Sequence, residues 1–175
     1  QLAIGMFPDA RFEALLKDQL AFLRLYAQLW RQGAHTVAMP GDRIVVQGVD
    51  VRVVTSAGRS LRPPIPGAGQ PNPYCAAYEP MAPDTSENAQ SVGLSIVFGR
   101  FHALFLGDLS WNREYELMCP NNPVGDVDLF IMSQHGASWS NSPVLVHAIA
   151  PRAALVSTGP RKGAHPSAMR VLRTA

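Results

Sequence analysis

The order of apolar and polar positions lays out a chain of alternating helices and strands. Over residues 9–32, apolar side chains recur at Phe12, Leu15, Leu16, Leu20, Leu23, Tyr26, Ala27 and Trp30. That is helical spacing, with Asp9 as N-cap, Gly33 as the stop and one face expected to cover a sheet. Two β-rich runs, 43–46 and 49–55, flank Gln47-Gly48 and predict a hairpin. Between 91 and 98, Val92, Leu94, Ile96 and Phe98 alternate with small residues as in a strand, and Gly99-Arg100 turns the chain into an apolar partner at 103–106. A short helix over 112–118, capped from Ser110, leads to a second apolar run at 127–132. A helix at 143–149, a strand at 153–156 and a helix over 166–173 follow. Strand and helix thus alternate through the second half, the pattern of an α/β layered fold.

One stretch breaks the pattern. Residues 56–87 hold seven of the fifteen prolines and show almost no periodicity, so they read either as a lid or binding loop that overhangs a site or as a tethered surface loop. The part over 72–78 is expected to pack near Cys119 and a cleft rim. The chain's two cysteines, Cys75 and Cys119, lack zinc-knuckle spacing and read as one disulfide or as two buried thiols.

Composition bounds the answer further. With 175 residues, 47% apolar and 16% charged, the chain reads as one globular domain spanning 1–175 rather than a disordered segment. A net charge of +2 permits an anionic substrate without requiring one. No run reaches membrane-span length, and the first residues lack the pattern of a signal peptide. The chain begins with Gln rather than Met, so its start says nothing about localisation, and secreted, periplasmic and cytoplasmic settings all stay open. Neither repeats nor low-complexity segments are present.

The chemistry gathers where the two central apolar runs stop. The first delivers Gly107-Asp108 and the second Ser133-Gln134-His135-Gly136, so a carboxylate and an imidazole sit at strand ends beside glycines. In open α/β sheets that edge is where ligands bind. Read alone, Asp108 is as well placed to cap the following helix, and His135 to be a loop residue. His165, in Gly163-Ala164-His165-Pro166, stands before a helix, where it would orient a substrate oxygen, move a proton or make a structural hydrogen bond. Thr158, Gly159, Arg161 and Lys162 precede it and suit either an anionic group or solvent. Trp111 and Trp139 follow the two strand-end motifs as pocket walls or rim aromatics. His35, His102 and His147 read as structural or exposed.

The order strand, Gly-Asp, short helix, strand, His-Gly, helix, strand, Thr-Gly, His-Pro resembles the C-terminal half of the metallo-β-lactamase-fold hydrolases. It is most similar to the branch containing the hydrolase domain of bacterial DNA-uptake channel proteins. The matching positions are Asn88 and Ser91, Gly107 and Asp108, Gln134-His135-Gly136, and Ala164-His165-Pro166, and the resemblance covers about residues 42–172. It implies a four-layer αββα fold lacking part of its N-terminal half. Asp108 then matches a bridging metal ligand, His135 a second ligand and His165 a catalytic residue, with two divalent metal ions, zinc first and manganese or iron as alternatives. The activity implied is hydrolysis of an ester-like or phosphodiester bond by a metal-activated hydroxide, in a small-molecule or phosphodiester substrate; nothing in the residues adds support for nucleic acid. Two departures stand out. No His-x-His occurs, so the family's His-x-His-x-Asp-His motif is missing, and Gln134 replaces a common histidine. The rival expectation is therefore a non-catalytic binding or interaction domain that keeps the fold and has lost the metal.

Overall fold

The computed structural model describes residues 10–33, 36–159 and 162–175, with the side chains of the first helix described from Lys17 onward. Asp9, His35 and Arg161, to which the sequence assigns a cap, a loop imidazole and a loop cation, lie outside the described residues. The chain divides into two compact units, Gln1–Val37 and Ala38–Ala175.

The first unit carries helix α1 (Ala10–Gln32), which the apolar spacing predicts, and Gly33 closes it by donating its amide to Leu29. From Lys17 to Gly33 every residue is exposed. Leu20, Leu23 and Trp30, positions that helical spacing assigns to packing, are each at least half exposed.

The second unit is mixed α/β, built on one seven-stranded sheet. Strands β1 (Arg43–Val46) and β2 (Val49–Ser56) form the expected hairpin, tight across Gln47-Gly48 because Val46 pairs with Val49. The short β3 (Arg59–Ser60) pairs with β2 off the main path. Next come β4 (Gly93–Phe98) and β5 (Phe101–Phe105), antiparallel, then β6 (Leu129–Ile131) and β7 (Ala153–Leu155), each parallel to its predecessor in the order β1-β2-β4-β5-β6-β7. Helices α2 (Trp111–Met118), α3 (Pro143–Ile149) and α4 (Pro166–Arg173) complete the unit, giving four α-helices among the described residues.

Register assigns the sheet two unlike faces. Leu104 and Phe130, opposite one another, are wholly buried in a core with Leu106, Leu117, Met118, Leu145 and Ile149, where α2 and α3 cover the sheet. Burying each large side chain contributes roughly 1.5–3 kcal/mol. On the other face one row across six strands reads Ile44, Val51, Ile96, Ala103, Leu129, Ala153, and the next reads Val53, Leu94, Phe105, Ile131, Leu155. Every residue of both rows is apolar. Exposure along them is uneven: Val51, Val53 and Ala103 are buried, whereas Ile44 is 45%, Phe105 38% and Leu155 50% exposed.

The proline-rich stretch is ordered by contacts distant in sequence. Asn72 donates both Nδ2 hydrogens, to the carbonyls of Met118 (3.1 Å) and Val144 (3.0 Å), tying the stretch to the end of α2 and the start of α3. Asn72 and Asn122 amides donate to Pro120 and Gln70 carbonyls. Cys75 and Cys119 form a disulfide, and Tyr78 stacks on Tyr115 with ring centroids 4.0 Å apart. The expected packing of 72–78 against Cys119 is therefore present.

Candidate functional site

Parallel pairing of β5 with β6 and of β6 with β7 brings the three motif loops to one edge of the sheet. Phe105 pairs with Ile131 and Ile131 with Leu155, so Asp108, His135 and Ser157 all follow strand ends that lie side by side. Backbone hydrogen bonds stitch the loops together. The amide of Gln134 donates to the Gly107 carbonyl (3.0 Å), that of Ala164 to His135 (2.8 Å) and that of His165 to Gly136 (2.8 Å). All three sequence-assigned site residues thus belong to one cluster of loops.

Asp108 is half-buried, and its amide donates to Ser91 Oγ at 3.1 Å, so the Ser91 position of the strand-start motif supports the turn that carries the carboxylate. Gly107, at φ +61°, makes that turn in a conformation that a side chain disfavours. Among the described residues no donor reaches the Asp108 carboxylate, which leaves its oxygens for a ligand. Asp108 does not cap α2. Ser110 occupies the N-cap position of that helix, but contrary to expectation its hydroxyl makes no capping bond, and it is buried without a partner.

His135 stands in strained backbone. Gln134 (φ 49°, ψ 43°) and His135 (φ 59°, ψ 24°) are successive non-glycine residues in the left-handed region, followed by Gly136 at φ +74°. Each such residue costs about 1–3 kcal/mol unless its surroundings hold it there. What holds it is visible. Asn141 clamps the loop, accepting from the Ser133 amide at Oδ1 (2.9 Å) and donating from Nδ2 to the Ser133 carbonyl (3.0 Å). Glu114, fully buried on α2, accepts the Asn141 and Ser142 amides at 2.7 Å each. Burial pushes the Glu114 carboxyl up to about 7, against the opposing pull of those two amides.

The two loop histidines differ in what they offer. His135 Nδ1 lies 2.8 Å from the Ser157 carbonyl, which only accepts, so Nδ1 carries the hydrogen and the lone pair is left on Nε2. A backbone carbonyl fixing one ring nitrogen so that the other coordinates is a recurrent feature of metal-binding histidines. In His165 the relation is reversed. Its Nδ1 accepts from the Ser167 amide (3.3 Å) as the N-cap of α4 and meets Ser167 Oγ at 2.8 Å, so the neutral ring carries its hydrogen on Nε2 as a donor. His102 is held by Ser95 Oγ (2.9 Å) and the Asp126 carbonyl (2.8 Å), and His147 by the Val171 carbonyl (3.1 Å), away from this edge. Both have structural roles.

Beside the centre lies a cleft of about 290 Å³, lined by Asp84, Ser86, Asn88, Ser110, Asn112, Gln134 and the two tryptophans Trp111 and Trp139. The proline-rich stretch forms one wall. Asn112 holds it there, donating to the Met81 carbonyl (2.8 Å) and accepting from the Met81 amide (3.0 Å) and the Tyr78 hydroxyl (2.6 Å). The Ser86 hydroxyl and amide keep the Asp84 carboxyl below the usual carboxylate range. The Ser110 hydroxyl also favours the Asp84 carboxylate, in a geometry short of a full hydrogen bond. Lys162, expected to join a cationic loop, is exposed and bonded through its backbone to Gly159.

Glu114, Asn141 and the left-handed pair at Gln134-His135 shape the loop edge, and sequence reasoning missed them. Among the described residues no three His, Cys, Asp or Glu side chains come together in a cluster that would hold a metal ion, and no helix is long and apolar enough to cross a membrane. Compared with known proteins, the chain matches no family model, no curated protein and no solved structure.

Proposed function

We propose that the chain forms part of a metal-dependent hydrolase of metallo-β-lactamase fold, with its centre at the loop edge of β5, β6 and β7. The observation that carries this reading is the pairing of an unpartnered Asp108 carboxylate with a His135 ring whose Nδ1 is spent on Ser157 and whose Nε2 is free. Both donor types suit zinc, manganese or iron. Asp108 and His135 would hold the metal ions, which when bound supply Lewis-acid polarisation and a nucleophile at neutral pH. His165, with Nε2–H outward, donates to an oxygen of an ester-like or phosphodiester group. Gln134 and Ser140 keep the His135 loop in place, their side chains joined at 2.9 Å.

A catalytic metal usually takes about three protein ligands, and the described residues offer fewer. Further ligands therefore come from outside these residues. The four-layer αββα arrangement belongs to the same proposal. Its support is the wholly apolar rows on the open face of the sheet, which a second layer would cover as α2 and α3 cover the first. The alternative, a domain that keeps the fold and binds without metal, is favoured by the lack of a three-ligand cluster among the described residues.

Elemental analysis together with esterase and phosphodiesterase turnover decides between them, run on this chain and on a version extended upstream. The hydrolase reading expects metal and EDTA-sensitive turnover in the longer chain, lost in Asp108→Ala and His135→Ala. A metal-free, inactive longer chain contradicts it.

A further inference from the structure

The cleft beside the centre contains more polar capacity than the fold uses. Ser110 is 5% exposed and its hydroxyl has no hydrogen-bond partner, which is costly for a buried group unless a ligand supplies one. Gln134 spends one end of its side-chain amide on Ser140 Oγ, whose hydrogen also faces the Leu109 carbonyl, and the other end is unused among the described residues. The Asn88 backbone amide donates to Ser86 Oγ (3.3 Å), but its side-chain carboxamide makes no hydrogen bond among the described residues. Asp84 accepts from the Ser86 amide at Oδ1 (2.9 Å) and is also favoured by the Ser86 and Ser110 hydroxyls, and the lone pairs that these leave can take a further donor. Trp139 stands 55% exposed at the rim, while the Trp111 indole N–H is committed to the Glu79 carbonyl at 3.0 Å.

These groups discriminate between ligand chemistries. No lysine or arginine lines the cleft and one carboxylate does, so a phosphate or other anion meets repulsion that only Arg113, outside the lining, counters. An organic cation would satisfy Asp84 and the indole faces but leave the amides of Asn88 and Gln134 and the Ser110 hydroxyl without partners. An apolar group would leave all four unpaired. A ring bearing several hydroxyls both donates and accepts at each of them, and its C–H face is flat enough to lie on an indole.

We propose that this cleft binds a neutral sugar ring, held by hydroxyl contacts to Asp84, Asn88, Ser110 and Gln134 and by stacking on Trp139. The cleft shares the Gln134 loop with His135, so the bound sugar would be the part of the substrate next to the bond that is cut. That placement rests on the hydrolase reading, but the binding itself does not.

Calorimetric titration of the purified protein in EDTA, with cellotetraose, maltotetraose and chitotetraose as probes, tests it apart from metal chemistry. At least one tetrasaccharide should bind with a Kd of about 1 mM or tighter. Trp139→Ala and Asn88→Ala, both at positions with little folding burden, should each weaken binding by about tenfold or more. The proposal is overturned if none of the three binds, if both variants bind as well as the parent, or if adenosine or tetramethylammonium binds at Trp139 where the sugars do not. Sugar binding by a version extended upstream that takes up no metal and turns over no ester or phosphodiester would sink the hydrolase reading and leave this one standing.

Discussion

Gly163 shows how closely the His135 loop is fitted. It sits at φ +96°, and a Cβ there would come within 2.5 Å of the His135 carbonyl oxygen and 3.1 Å of its Cβ. Gly163→Ala should therefore lower stability by about 2 kcal/mol or more and displace His135, which chemical denaturation and a zinc titration would each detect. A neutral stability change would show that the loop yields. Glu114 supplies a second test at this scale. The folded state holds its proton more tightly than the unfolded chain, so its contribution is full below the ordinary value of 4.5 and is lost as pH rises through about 7. The stability difference between the parent and Glu114→Ala should thus shrink by roughly 3 kcal/mol from pH about 4.5 to about 8. A difference that stays flat with pH would mean that the carboxyl is ionised throughout, held by its two amide donors.

Among the elements, those with strong local signals were legible. Helix α3 starts at a proline after Ser142, whose hydroxyl accepts from Leu145, and α4 starts at a proline after His165; both ranges are as the sequence predicts. Strand β6 is shorter than the apolar run 127–132, because Val127 donates to Ile149 and Met132 to Leu155, outside regular pairing. The proline-rich stretch was illegible as ordered structure, since its order comes from Asn72 and Cys75 reaching residues far along the chain. Glu114 could not be found either, because a charged residue on a helix reads as exposed, and Gln134-His135 carries no sequence mark of left-handed backbone. The disulfide closes a separation of 44 residues, worth up to about 4 kcal/mol through loss of freedom in the unfolded chain. Reduction or Cys75→Ser should lower the denaturation midpoint accordingly. An unchanged midpoint would show that Asn72 and its neighbours hold the stretch without the bond.

For the molecule as a whole, the open apolar face of the sheet is the feature most at odds with a free surface. Contiguous exposed apolar area of this kind favours association. Sedimentation should show self-association at raised concentration, and Phe105→Lys with Leu155→Lys should suppress it, while a concentration-independent monomer would mean that the face is covered. The same face accounts for the partial success of the sequence reading. Alternation identifies which residues share a face, but it is silent about what lies against it.

The central claim is that Asp108 and His135 receive a metal ion, and the His135 ring nitrogens report on it directly. In a zinc titration of the version extended upstream, followed by long-range proton–nitrogen correlation of the imidazoles, His135 Nε2 should shift towards a coordinated value while Nδ1 keeps its hydrogen for Ser157. The His102 and His147 signals should stay in place, and Asp108→Ala should abolish the His135 response. A His135 ring that ignores zinc, or a response unaffected by Asp108→Ala, would contradict the account.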